Sequence, residues 1–234
     1  MYFLFKRLMD IILATIALFV LLPLFVPIAI ALLLTGEHYV FYRQERIGLH
    51  NRRFNVWKFA TMLKNSPSMS GGLHTMRCDP RVLPLGYLLR ITKINELPQI
   101  LNILMGDMSI VGPRPLVDKT FAPYSEHVKA VIYNIRPGLT GIGSIVFRDE
   151  ERLLSESGIP TEETYSRYIA PAKGELELWY QEHASLRTDF LIIFLTIWVI
   201  IFPRSQLIHR VFQDLPMINV PGLEWKGLVP SDSA

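Results

Sequence analysis

The chain has 234 residues, half of them apolar and 19% charged, with a formal net charge of +3. That is enough chain for one sizeable core, too apolar for an ordinary soluble protein and too polar for a polytopic membrane protein. The mild positive charge comes without a zinc-finger, basic-zipper or other nucleic-acid motif, so it points to an anionic membrane surface rather than to nucleic acid. Cys78 is the only cysteine, which excludes an intramolecular disulfide; it reads as a small, half-buried residue.

The first element is an apolar segment, Ile11 to Leu34, with no charged residue. Lys6 and Arg7 precede it as in a signal peptide, but it is too long for a signal core and no small-x-small site follows, so it is expected to be retained. It is long enough to cross a hydrocarbon core of about 30 Å once, and too short to cross twice. Pro23 cannot donate to the carbonyl of Phe19, and Pro27 repeats the defect one turn later, so a break or strong kink is expected near Leu22 to Pro27. Basic residues flank both ends, Lys6 and Arg7 on one side and Arg43, Arg46, Arg52 and Arg53 on the other, which marks both ends as cytoplasmic. A re-entrant hairpin over residues 1–36 and a bent single crossing stand equal on these grounds.

Residues 37–234 then form one compact cytoplasmic domain. His38 to Tyr42 and Arg53 to Phe59 are rich in aromatic and β-branched residues and predict a β-hairpin with a long loop. Ser66 to Gly72 predicts a mobile loop. Apolar spacing predicts short helices over Arg81 to Leu89 and Glu96 to Leu104, joined at Thr92 to Asn95, with Gly106 ending the second and Gly112-Pro113-Arg114-Pro115 forming a rigid loop. Further helices are predicted around Tyr124 to Tyr133, Glu162 to Tyr168 and Glu175 to Glu182, with a glycine-rich turn at Pro137 to Gly143. The apolar run Phe190 to Phe202, bounded by Asp189 and by Pro203 with Arg204, is too short to span and predicts either an interfacial helix or one docked under the domain. The fold class is mainly α with a small β-hairpin.

Three segments carry more than packing requires: Lys93-Ile94-Asn95-Glu96-Leu97-Pro98-Gln99, Gly106 to Pro115 with the sequence GDMSIVGPRP, and Arg136-Pro137-Gly138-Leu139-Thr140-Gly141. Arg114 between two prolines and Arg136 before Pro137 and Gly138 stand on pre-set backbones that suit bidentate phosphate contacts. Either alone reads as a surface salt bridge; the two together favour phosphate. Glu96 opens a helix, where a carboxylate is stabilised and, as a hard oxygen ligand, suits magnesium; a plain helix-start charge is the alternative. Asp107 reads as a turn or capping residue, and Lys58 and Arg90 as further phosphate or headgroup partners.

These segments resemble the signature of the bacterial sugar transferases, the monotopic phosphoglycosyl transferases. The likeness runs in order from Phe5-Lys6-Arg7 and Asp10 through the proline-bearing segment, Lys58-Phe59 with Thr61-Met62, and Asp79-Pro80-Arg81-Val82, to about Leu195. It implies a re-entrant membrane helix, Mg2+, a nucleoside diphosphate sugar donor, usually a uridine one, and undecaprenyl phosphate as the polyprenyl phosphate acceptor. It also implies the cytoplasmic face of a bacterial inner membrane and the first membrane step of a surface polysaccharide or glycoconjugate; a homo-oligomer is compatible. The family pattern has a nucleophilic aspartate before the glutamate, and here that residue is Asn95. An amide is a poor nucleophile at phosphorus. Three expectations follow: Glu96 is the nucleophile, the acceptor phosphate attacks directly, or the chain is an inactive membrane partner of a glycan assembly. The carboxylates of Asp149, Glu150 and Glu151 are a replacement source or a solvated cluster. Leu22 before Pro23 stands where the family commonly has serine, a hydroxyl that would help satisfy a broken backbone in lipid.

Overall fold

The computed structural model describes residues 1–66, 69, 79–150, 153–154, 160–203 and 205–216. Cys78, Glu151, Arg204 and the expected loop over 66–72, apart from Ser66 and Met69, lie outside the described residues. Contacts divide the chain into two units, one made of Met1–Arg7, Arg46–Arg53 and everything from Asp107, the other of Leu8–Glu45 and Phe54–Gly106.

Helix α1, Tyr2–Leu34, carries Pro23 and Pro27 in its interior. The expected break does not interrupt the helix: each proline removes one main-chain donor, yet the turns on either side remain helical. At 33 residues it is long and apolar enough to cross a membrane. In its second half Leu32, with Phe25 and Ile28, packs on Phe59 and Leu89, and the Phe25 and Phe59 rings meet edge to face at 5.3 Å. Much of the rest is exposed, including Phe19, Val20, Leu22, Val26 and Ile30.

The hairpin is β1, Phe41–Ile47, and β2, Arg53–Phe59; β1 starts later than the aromatic run suggested. Helix α2, Pro84–Ile91, begins at a proline, with Leu83 held extended before it. Helix α3, Gln99–Met105, ends on Gly106 at φ 96°, the left-handed cap that glycine adopts without strain. Between them the predicted continuous start at Glu96 is instead a 3-10 turn, Ile94–Glu96. Pro98 explains it. The nitrogen four residues after Ile94 belongs to a proline, so the Ile94 carbonyl accepts from Leu97 N–H at 3.1 Å instead. A buried Asp79–Arg81 ion pair at 2.6 Å braces the segment entering α2.

The other unit holds a second sheet, one strand of which lies where the sequence predicts the glycine-rich turn Pro137 to Gly143 and the other where it predicts no element. Strands β3, Ser109–Val111, and β4, Gly138–Thr140, pair in parallel with Ser109 opposite Gly138 and Val111 opposite Thr140. The crossover carries α4, Asp118–Phe121, and α5, Glu126–Val131. After β4 come α6, Ile142–Val146, α7, Thr161–Thr164, a π-turn over Tyr165–Ile169, α8, Ala170–Glu182, α9, Leu186–Ile201, and α10, Leu207–Val211. The core is built from Val111, Ile132, Tyr133, Ile142, Ile169, Leu176, Tyr180, Ile192 and Leu195.

Helix α9 buries Ile192, Leu195 and Val199 and exposes Phe190, Phe194, Ile197 and Ile201, two faces set by the 3.6-residue period. Its 16 residues extend about 24 Å, less than a hydrocarbon core. Asp189 at its start is fully buried and takes Lys6 Nζ at 2.8 Å, the Tyr2 hydroxyl at 2.9 Å and the Tyr180 hydroxyl at 2.6 Å. Lys6, read from sequence as a flanking surface charge, is thus a buried structural cation.

Candidate active site

The candidate residues divide between the two units. In the unit of Leu8–Glu45 and Phe54–Gly106, the 3-10 turn sets Asn95 and Glu96 side by side at the entrance to α3, and β2 supplies Lys58. Lys58 Nζ lies 3.5 Å from Glu96 Oε1, and both side chains are 16% exposed, so the pair is sheltered but reachable. Asn95 is buried and its Oδ1 has no hydrogen-bond partner among the described residues. A buried acceptor without a donor is costly, and this one adjoins a carboxylate. Asn102, wholly buried, fixes the distance between these elements: its Oδ1 accepts from Trp57 N–H at 2.9 Å and its Nδ2 donates to the Asn55 carbonyl at 2.8 Å. Sequence reasoning passed over Asn102; the available signal was an amide on the apolar face of a short helix. Arg90, in the last turn of α2, directs Nη1 at Met62 Sδ at 3.7 Å; the Arg81 side-chain hydrogen bond holds the Asp79 carboxyl low, and the Arg90 charge adds a smaller pull.

In the other unit, Arg114 and Arg136 leave the C-terminal end of β3 and the N-terminal end of β4. The Gly138 N–H donates to the Pro113 carbonyl at 2.8 Å, and Gly112 N–H donates to the Thr140 carbonyl at 2.9 Å. Backbone contact is so close at Gly138 that an added Cβ would lie 2.1 Å from the Gly112 nitrogen. The two arginine-bearing loops are thereby bound to each other through their main chains. Asp107 follows the Gly106 cap in a turn, which is compatible with its expected capping role. Glu150 pairs with Lys173 at 2.5 Å, so it is engaged in that unit's packing.

A magnesium ion takes few protein carboxylates and completes its shell with water and substrate phosphate oxygens. Glu96, sheltered but reachable, suits that mode as a single carboxylate. Among the described residues there is no cluster of three or more acidic, histidine or cysteine side chains that would form a protein-only cage.

The model of the bacterial sugar transferase family matches residues 1–203. The chain belongs to the bacterial sugar transferases. Among curated relatives of this family, the undecaprenyl-phosphate glucose phosphotransferase of Komagataeibacter xylinus is 34% identical over 207 residues, covering 86% of this chain and 36% of the relative. The exopolysaccharide production protein ExoY of Sinorhizobium fredii is 32% identical over 215 residues, covering 86% and 87%. The UDP-N-acetylgalactosamine-undecaprenyl-phosphate N-acetylgalactosaminephosphotransferase of Aeromonas hydrophila is 34% identical over 203 residues, covering 86% and 44%. The chain thus spans under half the length of two of these transferases and most of ExoY.

Proposed function

We propose that this sugar transferase moves a sugar phosphate from a nucleoside diphosphate sugar, a uridine one, to polyprenyl phosphate at the cytoplasmic face of a bacterial inner membrane. The products are polyprenyl diphosphate sugar and nucleoside monophosphate. The observation that carries the reading is the Lys58–Glu96 pair, a sheltered but reachable cation and carboxylate suited to a metal-bound phosphate. The relatives' names support the acceptor and the reaction class. Pro23, Pro27 and the basic flanks support a re-entrant α1, and the exposed apolar face of α9 supports an interfacial position.

Arg114 and Arg136 hold the donor diphosphate through guanidinium forks. Glu96 would hold a magnesium ion, which when bound supplies neutralising charge to phosphate oxygens. A carboxylate paired with an ammonium is a weak nucleophile, and the Asn95 amide is a weaker one, so the transfer is direct. An oxygen of polyprenyl phosphate forms a bond to the sugar-bearing phosphorus as the bond from that phosphorus to the nucleoside monophosphate oxygen breaks. The amide at position 95 favours a second reading, a non-catalytic partner that binds these ligands without turnover.

The test is nucleoside monophosphate release from a panel of uridine diphosphate sugars, with and without polyprenyl phosphate. Direct transfer gives release only when the acceptor is present and loss of release in Glu96→Gln. Release from donor alone, with phosphosugar trapped on Glu96, overturns direct transfer. Turnover that appears only in Asn95→Asp establishes the non-catalytic reading.

A further inference from the structure

The segment that carries Arg114 has its main-chain groups occupied one after another. The Pro113 carbonyl accepts from Gly138 N–H at 2.8 Å. The Arg114 carbonyl accepts from the Tyr133 hydroxyl at 2.9 Å. Arg46 Nη1 donates to the Pro115 carbonyl at 3.1 Å. The Leu116 N–H donates to Tyr133 Oη at 3.0 Å, and the Leu116 carbonyl accepts from Ile47 N–H at 2.9 Å. Pro113 and Pro115 have no donor to offer and fixed φ angles.

Tyr133 is the centre of this arrangement. It is 1% exposed, and its ring packs against Phe121 at 5.7 Å between centroids. Its own carbonyl accepts from His50 N–H at 2.7 Å, so the residue is fixed at both ends. Burial pushes its phenol pKa well up, so Oη keeps the proton it gives to Arg114. One hydroxyl closes a bridge across Arg114 and Leu116, and nothing else described in the structure serves both groups.

We infer that Tyr133 is a positioning residue for the donor diphosphate, acting through the Arg114 backbone, with Arg46 as its second brace. A guanidinium is worth most to a phosphate when its fork is already aimed, because a flexible one spends its contacts on being ordered. The inference rests on the proposed diphosphate role of Arg114. Deleting the Tyr133 hydroxyl should therefore weaken diphosphate binding while leaving the ring, and the core around it, in place.

The experiment is a double-mutant cycle on the full chain in detergent or nanodiscs, with UDP as the probe and calorimetry or fluorescence as the readout. Tyr133→Phe should weaken UDP binding about tenfold, the size of one well-placed hydrogen bond. Arg114→Ala should weaken it at least as much, and the double variant no further than Arg114→Ala alone. Additive losses would mean that Tyr133 acts on the fold at large, and undiminished binding by Tyr133→Phe would likewise overturn the inference. If Arg114→Ala itself binds UDP normally, the diphosphate role of Arg114 fails first and the positioning role with it. Should Tyr133→Phe not fold, Arg46→Gln, which removes the Pro115 brace and spares the aromatic core, takes its place in the same cycle with the same outcomes.

Discussion

Glu177 lies on α8 inside the core of the larger unit, 4% exposed. Its Oε2 has no hydrogen-bond partner among the described residues. Burial raises its carboxyl from an ordinary 4.5 to about 8, against the smaller opposing pulls of the Lys173 ammonium and the Gly143 N–H. The folded protein therefore holds a proton that the unfolded chain has released above its ordinary value. Stability is fully retained at acidic pH, falls as the pH rises from about 4.5 to about 8, and is flat beyond. Each pH unit in that window is worth about 1.4 kcal/mol, so the full decline approaches about 5 kcal/mol, with roughly 3 kcal/mol of it spent by neutral pH. Glu177→Gln removes the ionisable group and so the decline. Its buried amide adds a constant offset that cannot change with pH. The measurement is the thermal midpoint of both proteins in one detergent from about pH 5 to about pH 8.5, where at this chain length each kcal/mol moves the midpoint by about 2–4 °C. The midpoint of the variant should gain on the parent by roughly 10 °C between the acidic and neutral ends. Parallel curves would show that Glu177 titrates normally and refute the argument.

If α1 is re-entrant as proposed, replacing both Pro23 and Pro27 by leucine, which restores two main-chain donors, should turn it into a crossing helix. Cysteines placed near residues 2 and 37 report this: both resist an impermeant thiol reagent in intact cells in the parent, and one becomes reactive in the double variant. Labelling of one end in the parent would already exclude re-entry. Lys6→Met leaves the Asp189 carboxylate buried without its cation and should destabilise the protein by about 3–5 kcal/mol, read as a drop in denaturation midpoint. Lys6→Met with Asp189→Asn should recover part of that loss, and a double variant no better than the single would refute the pairing as its cause.

Much of the local architecture is legible in the residues themselves. Gly106 ends α3 because only glycine accepts its backbone angle at no cost, and the β2 run Arg53–Phe59 is rich in the aromatic and β-branched residues that favour strands. What escapes the sequence is what depends on distant partners. Ser109-Ile110-Val111 is too short to announce a strand, and becomes one only because Gly138 arrives beside it. Lys6 and Asp189 are 183 residues apart, so each looks like the boundary of an apolar run until the fold joins them. Of the candidate site, the residue types and their order are readable, including the amide at position 95. The sheltered Lys58–Glu96 contact is not, because it depends on α3 and β2 meeting, and Asn102 clamps them together.

The 3-10 turn also bears on the chemical ageing of this protein. Asparagine converts spontaneously to aspartate through a five-membered succinimide, closed when the next residue's main-chain nitrogen attacks the side-chain carbonyl carbon. At position 95 that nitrogen belongs to Glu96, and its N–H is committed to the Lys93 carbonyl at 3.1 Å. The turn, buried with Asn95 and followed by Pro98, holds the nitrogen in a helical geometry from which ring closure requires local unfolding. Stored protein should keep its amide, so a trace of turnover in an aged preparation would not be the work of a deamidated fraction carrying the family's carboxylate.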